Sequence, residues 1–181
     1  MAQAPIDALL SEGYSARRAH QPTLALAAFT QAAESARAAG NAESLARALA
    51  GIGQIHRDLR DLDLACDFYQ QAVDVCRALE QPLHLAHTLR HLADVQRDLG
   101  KPWHSRSAYA EARGLYQSQP DAAPLDLANT LRGRALLESE CGEADLAIEI
   151  WSEARDLYRE ADVQAGVDEA TVQLDRLRPT S

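Results

Sequence analysis

Residues 45–72 read LARALAGIGQIHRDLRDLDLACDFYQQA, residues 85–112 read LAHTLRHLADVQRDLGKPWHSRSAYAEA, and residues 127–154 read LANTLRGRALLESECGEADLAIEIWSEA. The three stretches align without gaps, offset by 40 and 42 residues, and a weaker copy lies 40 residues before the first, with Phe29 opposite Tyr69. Self-similarity at such a period marks a chain built by stacking one supersecondary unit. Apolar residues recur at helical spacing twice in each copy, as in Leu45, Leu49, Ile52, Ile55 and Leu59, then Leu64, Phe68, Ala72, Val75 and Leu79. Each unit is therefore two helices. Breakers fall where turns are needed, at Gly40-Asn41, Pro82, Gly100 to Pro102, Gly142 and Gln119 to Pro124.

The rest of the composition agrees. Of 181 residues, 46% are hydrophobic but only 5% aromatic, so the core must come from small and straight-chain side chains suited to close-packed helices. The net charge of −9 opposes phosphate neutralisation and argues against nucleic-acid binding. No apolar run reaches the roughly 20 residues that cross a bilayer, and Met1 to Leu10 has no leader pattern. The expectation is a cytoplasmic protein with no membrane or nucleic-acid partner. Cys66, Cys76 and Cys141 fit no zinc or redox spacing and read as buried packing cysteines.

Four positions recur in all four units. A small residue stands in the first helix (Gly13, Gly53, Ala93, Ala135) and another early in the second (Ala25, Ala65, Ser105, Ala147). An aromatic follows (Phe29, Tyr69, Tyr109, Trp151), and then an alanine (Ala32, Ala72, Ala112, Ala154). Small residues let helix axes approach to about 8–10 Å, and the aromatic fills the gap between units. This pattern, over about residues 6–160, resembles the tetratricopeptide repeat. The departures are a unit longer than the family's commonest form, Leu9, Leu49, Leu89 and Leu131 where a tryptophan is usual, and no terminal proline. They resemble the longer repeats of kinesin light chains and of bacterial peptide-sensing regulators. The resemblance implies an all-α, right-handed α-solenoid of four helix-turn-helix repeats, about 6–40, 43–80, 83–119 and 124–160, in a single domain 1–181. Residues 163–178 carry one apolar stripe and read as a capping helix. Repeats beginning so early leave no room ahead of them for the DNA-binding domain of the peptide sensors, so a free-standing adaptor is expected.

A helical wheel at about 100° per residue places a face opposite the apolar stripe of each first helix. It holds Asp7, Leu10, Tyr14, Arg17 and Arg18; Arg47, Ala50, Gln54, Arg57 and Asp58; His87, Arg90, Asp94, Arg97 and Asp98; and Asn129, Arg132, Leu136, Ser139 and Glu140. By the resemblance this face lines a concave groove that holds an extended protein or peptide segment. These twenty positions carry +2 together, leaving −11 for the rest of the chain. A mildly basic groove in an acidic body steers acidic partners. Arg17, Arg57 and Arg97 repeat at one position, and Arg90 and Arg132 at another. Arginine forks bind carboxylates or phosphates bidentately, so the expected ligand carries acidic or phosphorylated residues spaced by about three, or a free C-terminal carboxylate. The expected peptide contacts are Tyr14, Arg17, Arg47, Gln54, Arg57, His87, Arg90, Asp94, Arg97, Asn129 and Arg132. The alternative is pairing within a helix, Arg90 with Asp94 and Asp94 with Arg97.

His87 and His91, four apart on one helix, form a weak metal candidate with Asp94 as a third ligand, but no HExxH accompanies them. No glycine-rich phosphate loop, Gly-x-Ser-x-Gly or Cys/His nucleophile pattern is present, and Glu138 with Glu140 alternates across a helix rather than converging. The reading is a non-catalytic scaffold without a cofactor. Its rivals are a self-associating structural oligomer and a metal-responsive regulator.

Overall fold

The computed structural model describes residues 5–178; the outer ends of the expected domain, 1–4 and 179–181, lie outside the described residues. Nine helices and no strand occur among them: α1 (Ile6–Arg18), α2 (Pro22–Ala38), α3 (Ala42–Asp58), α4 (Leu62–Arg77), α5 (Pro82–Asp98), α6 (Pro102–Gln117), α7 (Pro124–Glu140), α8 (Ala144–Glu160) and α9 (Gln164–Leu177). The all-α repeat architecture with a final single helix is thus what the chain adopts. It divides into two compact units, 1–88 and 89–181, with the division inside α5. In the first, α2 packs on α1 and α3, and α3 on α4; in the second, α7 packs on α6 and α8, and α8 on α9.

Helix ends follow local chemistry. Pro22, Pro102 and Pro124 occupy the first turn of their helices, where the missing N–H loses no helix bond. The Asn41 side chain caps α3 by accepting from the Ser44 N–H at 3.0 Å. Six helices end with a residue at positive φ followed by a backbone bond back across the last turn, as from the Glu143 N–H to the Glu138 carbonyl at 2.9 Å. Gly40, Gly100 and Gly142 serve at three of these ends; His20, Arg60 and Asp162 adopt the same left-handed conformation at the others.

The four recurrent aromatics are the centres of packing. Phe29, Tyr69, Tyr109 and Trp151 are each at most 1% exposed, and the small residues and leucines that recur with them are all buried. The seats of these rings have no spare volume. A Cβ on Gly13 would stand 2.6 Å from the Phe29 ring, and one on Gly51, from the following repeat, 2.7 Å from the same ring. Phe29 is therefore clasped from two sides, by its own repeat and by the next. Gly133 receives Tyr109 in the same way, and Gly166 of α9 receives Tyr158. Gly51 and Gly133 hold one repeat position, so the second contact is periodic within the units as the first is. Of the cysteines, Cys76 is buried, hydrogen-bonded with Thr88 at 3.7 Å. Cys141 is instead exposed, because it caps the end of α7 and does not lie on the helix's buried face.

Gly51→Ala should lower stability by about 1–3 kcal/mol, because a rigid buried ring cannot yield to the added methyl. Gly114 has open space at its Cβ position, so Gly114→Ala should raise stability by up to about 1 kcal/mol through helix propensity. Urea unfolding followed by far-UV circular dichroism reads both; equal effects of the two substitutions would contradict the clasp.

Candidate functional site

The expected contact residues lie on the first-helix faces of α1, α3, α5 and α7, half-buried or exposed. In unit 1 Tyr14 packs edge-on against Phe29, ring centroids 5.0 Å apart at 75°. Arg17 on α1 donates from Nε and Nη2 to the Asp58 carboxylate on α3 at 2.7 and 3.3 Å. Gln54 donates to Asp58 at 2.9 Å and accepts from the Tyr69 hydroxyl at 3.0 Å. Arg47 reaches back to Asp7 on α1 at 3.8 Å. Arg57 is half-buried and His87 exposed.

In unit 2 Arg90 lies 3.0 Å from the His91 ring and 3.9 Å from Asp94. Asp94 accepts from the Tyr109 hydroxyl at 2.5 Å. Arg97 donates to Asp98 at 3.0 Å and sits 3.8 Å from Glu140 on α7. Arg132 grips Glu169 on α9 with a two-pronged bond, 2.6 and 2.7 Å. Asn129 accepts from Tyr158 at 2.9 Å. Burial pushes the Tyr158 hydroxyl up to about 12, so it remains a donor at neutral pH. Asn129, Arg132, Tyr158 and Glu169 border an open depression of about 270 Å³ between α7 and α9.

Two regularities emerge. The first concerns the side chain fifteen residues before each recurrent aromatic. Where the ring carries a hydroxyl, at Tyr69 and Tyr109, the partner is polar, Gln54 or Asp94. Where it does not, at Phe29 and Trp151, the same place holds Tyr14 or Leu136, packed on the core. Tyr14, Gln54 and Asp94 are therefore supports for the rings as well as parts of the exposed face. The second concerns charge. Asp58 and Glu140 occupy one repeat position, Arg17 and Arg97 another, and in each unit the arginine of one repeat meets the carboxylate of the next. Within-helix pairing of Arg90 with Asp94 is present, but the bonds from Arg17 and Arg132 cross between helices. Arg17, Arg47, Arg90, Arg97 and Arg132 of this face thus carry internal counter-ions, and α9 adds Glu169 to it.

Among the described residues no group of three or more His, Cys, Asp or Glu side chains is placed to hold a metal ion, and no helix is long and apolar enough to cross a membrane.

Away from this face, unit 2 buries one full charge. Glu138 is 0% exposed and accepts from Arg106 Nε at 3.1 Å and Nη2 at 2.6 Å, and from Arg134. Arg106 also lies 5.3 Å from the Trp103 ring centre. Burial by itself would raise the Glu138 pKa, but the hydrogen bonds from Arg106 and Arg134 outweigh it and hold the carboxyl below its usual range. A depressed folded value gives stability that is complete above the unfolded carboxyl pKa of about 4.3 and is lost as pH falls through the folded value. Glu138→Gln should cost about 3 kcal/mol at neutral pH, since two guanidinium groups lose their anion. The stability difference between wild type and variant, measured by urea unfolding, should be constant above about pH 5 and shrink below it; a difference independent of pH would show that Glu138 is not ionised in the fold.

Residues 44–118 match the tetratricopeptide repeat family model. No curated protein matches the sequence. Among solved structures, the apo form of RapI is similar with a TM-score of 0.80 at 11% identity, over 87% of this chain and 57% of that one. The chain thus spans little more than half of RapI's length. BtubC (BKLC) from P. vanneervenii is similar at 0.60 and 15% identity, over 97% of this chain and 93% of that one. MamA is similar at 0.61 and 15% identity, over 95% and 89%. The segment 44–118 thus matches the tetratricopeptide repeat, and the chain as a whole shares the all-α helical repeat fold of these structures.

Proposed function

We propose that this protein is a non-catalytic interaction scaffold whose first-helix faces hold an extended segment of a partner protein, with acidic side chains or a terminal carboxylate of that segment replacing the internal counter-ions of the arginines. Tetratricopeptide repeats serve protein interaction, and here one observation carries the finer reading. The Arg17–Asp58 pair joins successive repeats with side chains 40% and 43% exposed. An ion pair so exposed contributes only about 0–1 kcal/mol, so an incoming carboxylate can take the place of Asp58 at small cost. The face of unit 1 favours this exchange most, since Arg17, Arg18, Arg47 and Arg57 stand there against Asp7 and Asp58. In unit 2 Arg132 is held more firmly, by the two-pronged bond to Glu169. Tyr14, edge-on to Phe29, supplies a half-exposed aromatic surface on which a ligand side chain can rest.

The test is fluorescence anisotropy with a library of labelled nine-residue peptides, varied in the number and spacing of acidic residues and in the free or amidated C-terminus. Acidic peptides should bind, with affinity falling as salt rises. Arg17→Ala with Arg57→Ala should weaken the best binder about tenfold, equivalent to about 1.4 kcal/mol. Equal binding of neutral and acidic peptides, or indifference to the double substitution, would reject the exchange.

A further inference from the structure

A cavity of about 370 Å³ lies in unit 2 between α6 and α8, with α7 as its floor. It sits between second helices, away from the face described above, and its size is at the small end of ligand sites, which run from about 300 to 1,000 Å³. Its walls differ in charge. Arg113 stands on α6, Glu149 and Glu153 on α8, and Arg134 rises from the floor. Arg113 Nη2 reaches across to both oxygens of Glu153, at 3.0 and 2.9 Å. Both side chains are about two-fifths exposed, 40% and 38%, so the pair is exchangeable.

The corresponding place in unit 1 shows that the fold does not need this chemistry. At the repeat positions of Arg106, Arg134 and Glu138, unit 1 has Leu26, Ile52 and His56. Leu26 and Ile52 belong to the apolar core there. His56 stacks on Phe68 with ring centroids 5.5 Å apart and planes 3° from parallel. Phe68 corresponds to Ile150, and Glu34 to Gly114, so unit 2 has a smaller side chain at each of two cavity-lining positions. Buried ion clusters are rarely more stable than the apolar packing that could replace them. Unit 2 nonetheless fixes Arg134, which lines the cavity floor, against the fully buried Glu138 behind it, a carboxylate that Arg106 shares.

We propose that this cavity binds a small zwitterion, a free amino acid or a dipeptide, which inserts between Arg113 and Glu153. Its carboxylate takes the guanidinium groups of Arg113 and Arg134, and its ammonium takes Glu153 and Glu149. An anion alone would part Arg113 from Glu153 and leave the glutamates unmatched; a cation alone would leave Arg113 so. Only a ligand bearing both charges replaces one ion pair with two. The side chain or second residue of the ligand rests on Leu131 and Ile150, and Gly114 keeps the α6 wall open.

Isothermal titration calorimetry of the full chain with the common L-amino acids and glycylglycine tests this. At least one should bind saturably with Kd between about 10 μM and 1 mM. Its N-acetyl and its amide derivatives should each bind at least about tenfold more weakly, a loss of about 1.4 kcal/mol or more. Gly114→Leu, which fills the cavity without touching a charge, should abolish binding while preserving the far-UV circular dichroism spectrum. Ala110→Leu narrows the same space from one turn earlier and gives the result if Gly114→Leu does not fold. No binding by any probe at about 10 mM, an affinity unchanged by cavity filling, or derivatives that bind as tightly as the parent would each overturn the proposal.

Discussion

The structure depends on an aromatic ring held between helices that have given up their side chains to admit it. Phe29 shows the constraint in its clearest form: Gly13 in its own repeat and Gly51 in the next would both place a Cβ inside the ring's contact distance. Fully burying such a side chain contributes about 1.5–3 kcal/mol, but the larger consequence is geometric. A ring touching three helices fixes the separation of each pair and the rotation of each about its axis. Once rotation is fixed, which residues face outward is fixed as well. The exposed face of each first helix is therefore a by-product of where the rings sit.

That dependence runs to individual side chains. The residue fifteen places before a ring that carries a hydroxyl accepts from it, Gln54 and Asp94 for the two tyrosines, while Tyr14 and Leu136 at the same place pack on the cores that hold Phe29 and Trp151. A hydroxyl buried without an acceptor costs about 1–3 kcal/mol, enough to select a polar partner on packing grounds alone. The same four positions belong to the face that a helical wheel assigns to ligands, so their chemistry serves the interior before it serves a partner.

The helical pairs, the rings and their small neighbours were legible because each follows from spacing within one helix or from repetition at 40 and 42 residues. Although Leu10, which the wheel places on the exposed face, is fully buried in the core of unit 1, most of that face was legible too, since a wheel needs only the helical period. The counter-ions were not. Arg17 meets Asp58 at a separation of 41 residues and Arg132 meets Glu169 at 37, and a wheel for one helix cannot show what the next presents. The glycine seats at Gly51 and Gly133 escaped because they recur in alternate repeats and lie outside the four shared positions. Glu138 left a signal that could have been read: it continues the buried row of Leu131 and Ala135 at helical spacing, so an acidic residue stands where the pattern asks for an apolar one. Paired with Glu140 by sequence proximity, it reads as surface; placed on that row, it requires buried cations, which Arg106 and Arg134 supply.

The two units then show how one scaffold separates support from recognition. Leu26, Ile52 and His56 on Phe68 complete the core of unit 1 without a buried carboxylate, at the positions where unit 2 has Arg106, Arg134 and Glu138. The backbone plan is common to both, so repeat geometry does not explain the difference. The charged version is stable only while all three groups are present, because removing one leaves another buried without its counter-charge. It confers in return a guanidinium whose position is set by a partner behind it and whose edge borders open space. On the first-helix face of unit 1 the situation is reversed: Arg17 is held by Asp58 of the neighbouring repeat on an accessible surface, where pairing is weak and exchange is easy. Depth of the counter-ion thus decides how each guanidinium can serve a ligand: Arg134 keeps its buried partner and offers the edge that borders the cavity, whereas Arg17 must give up Asp58.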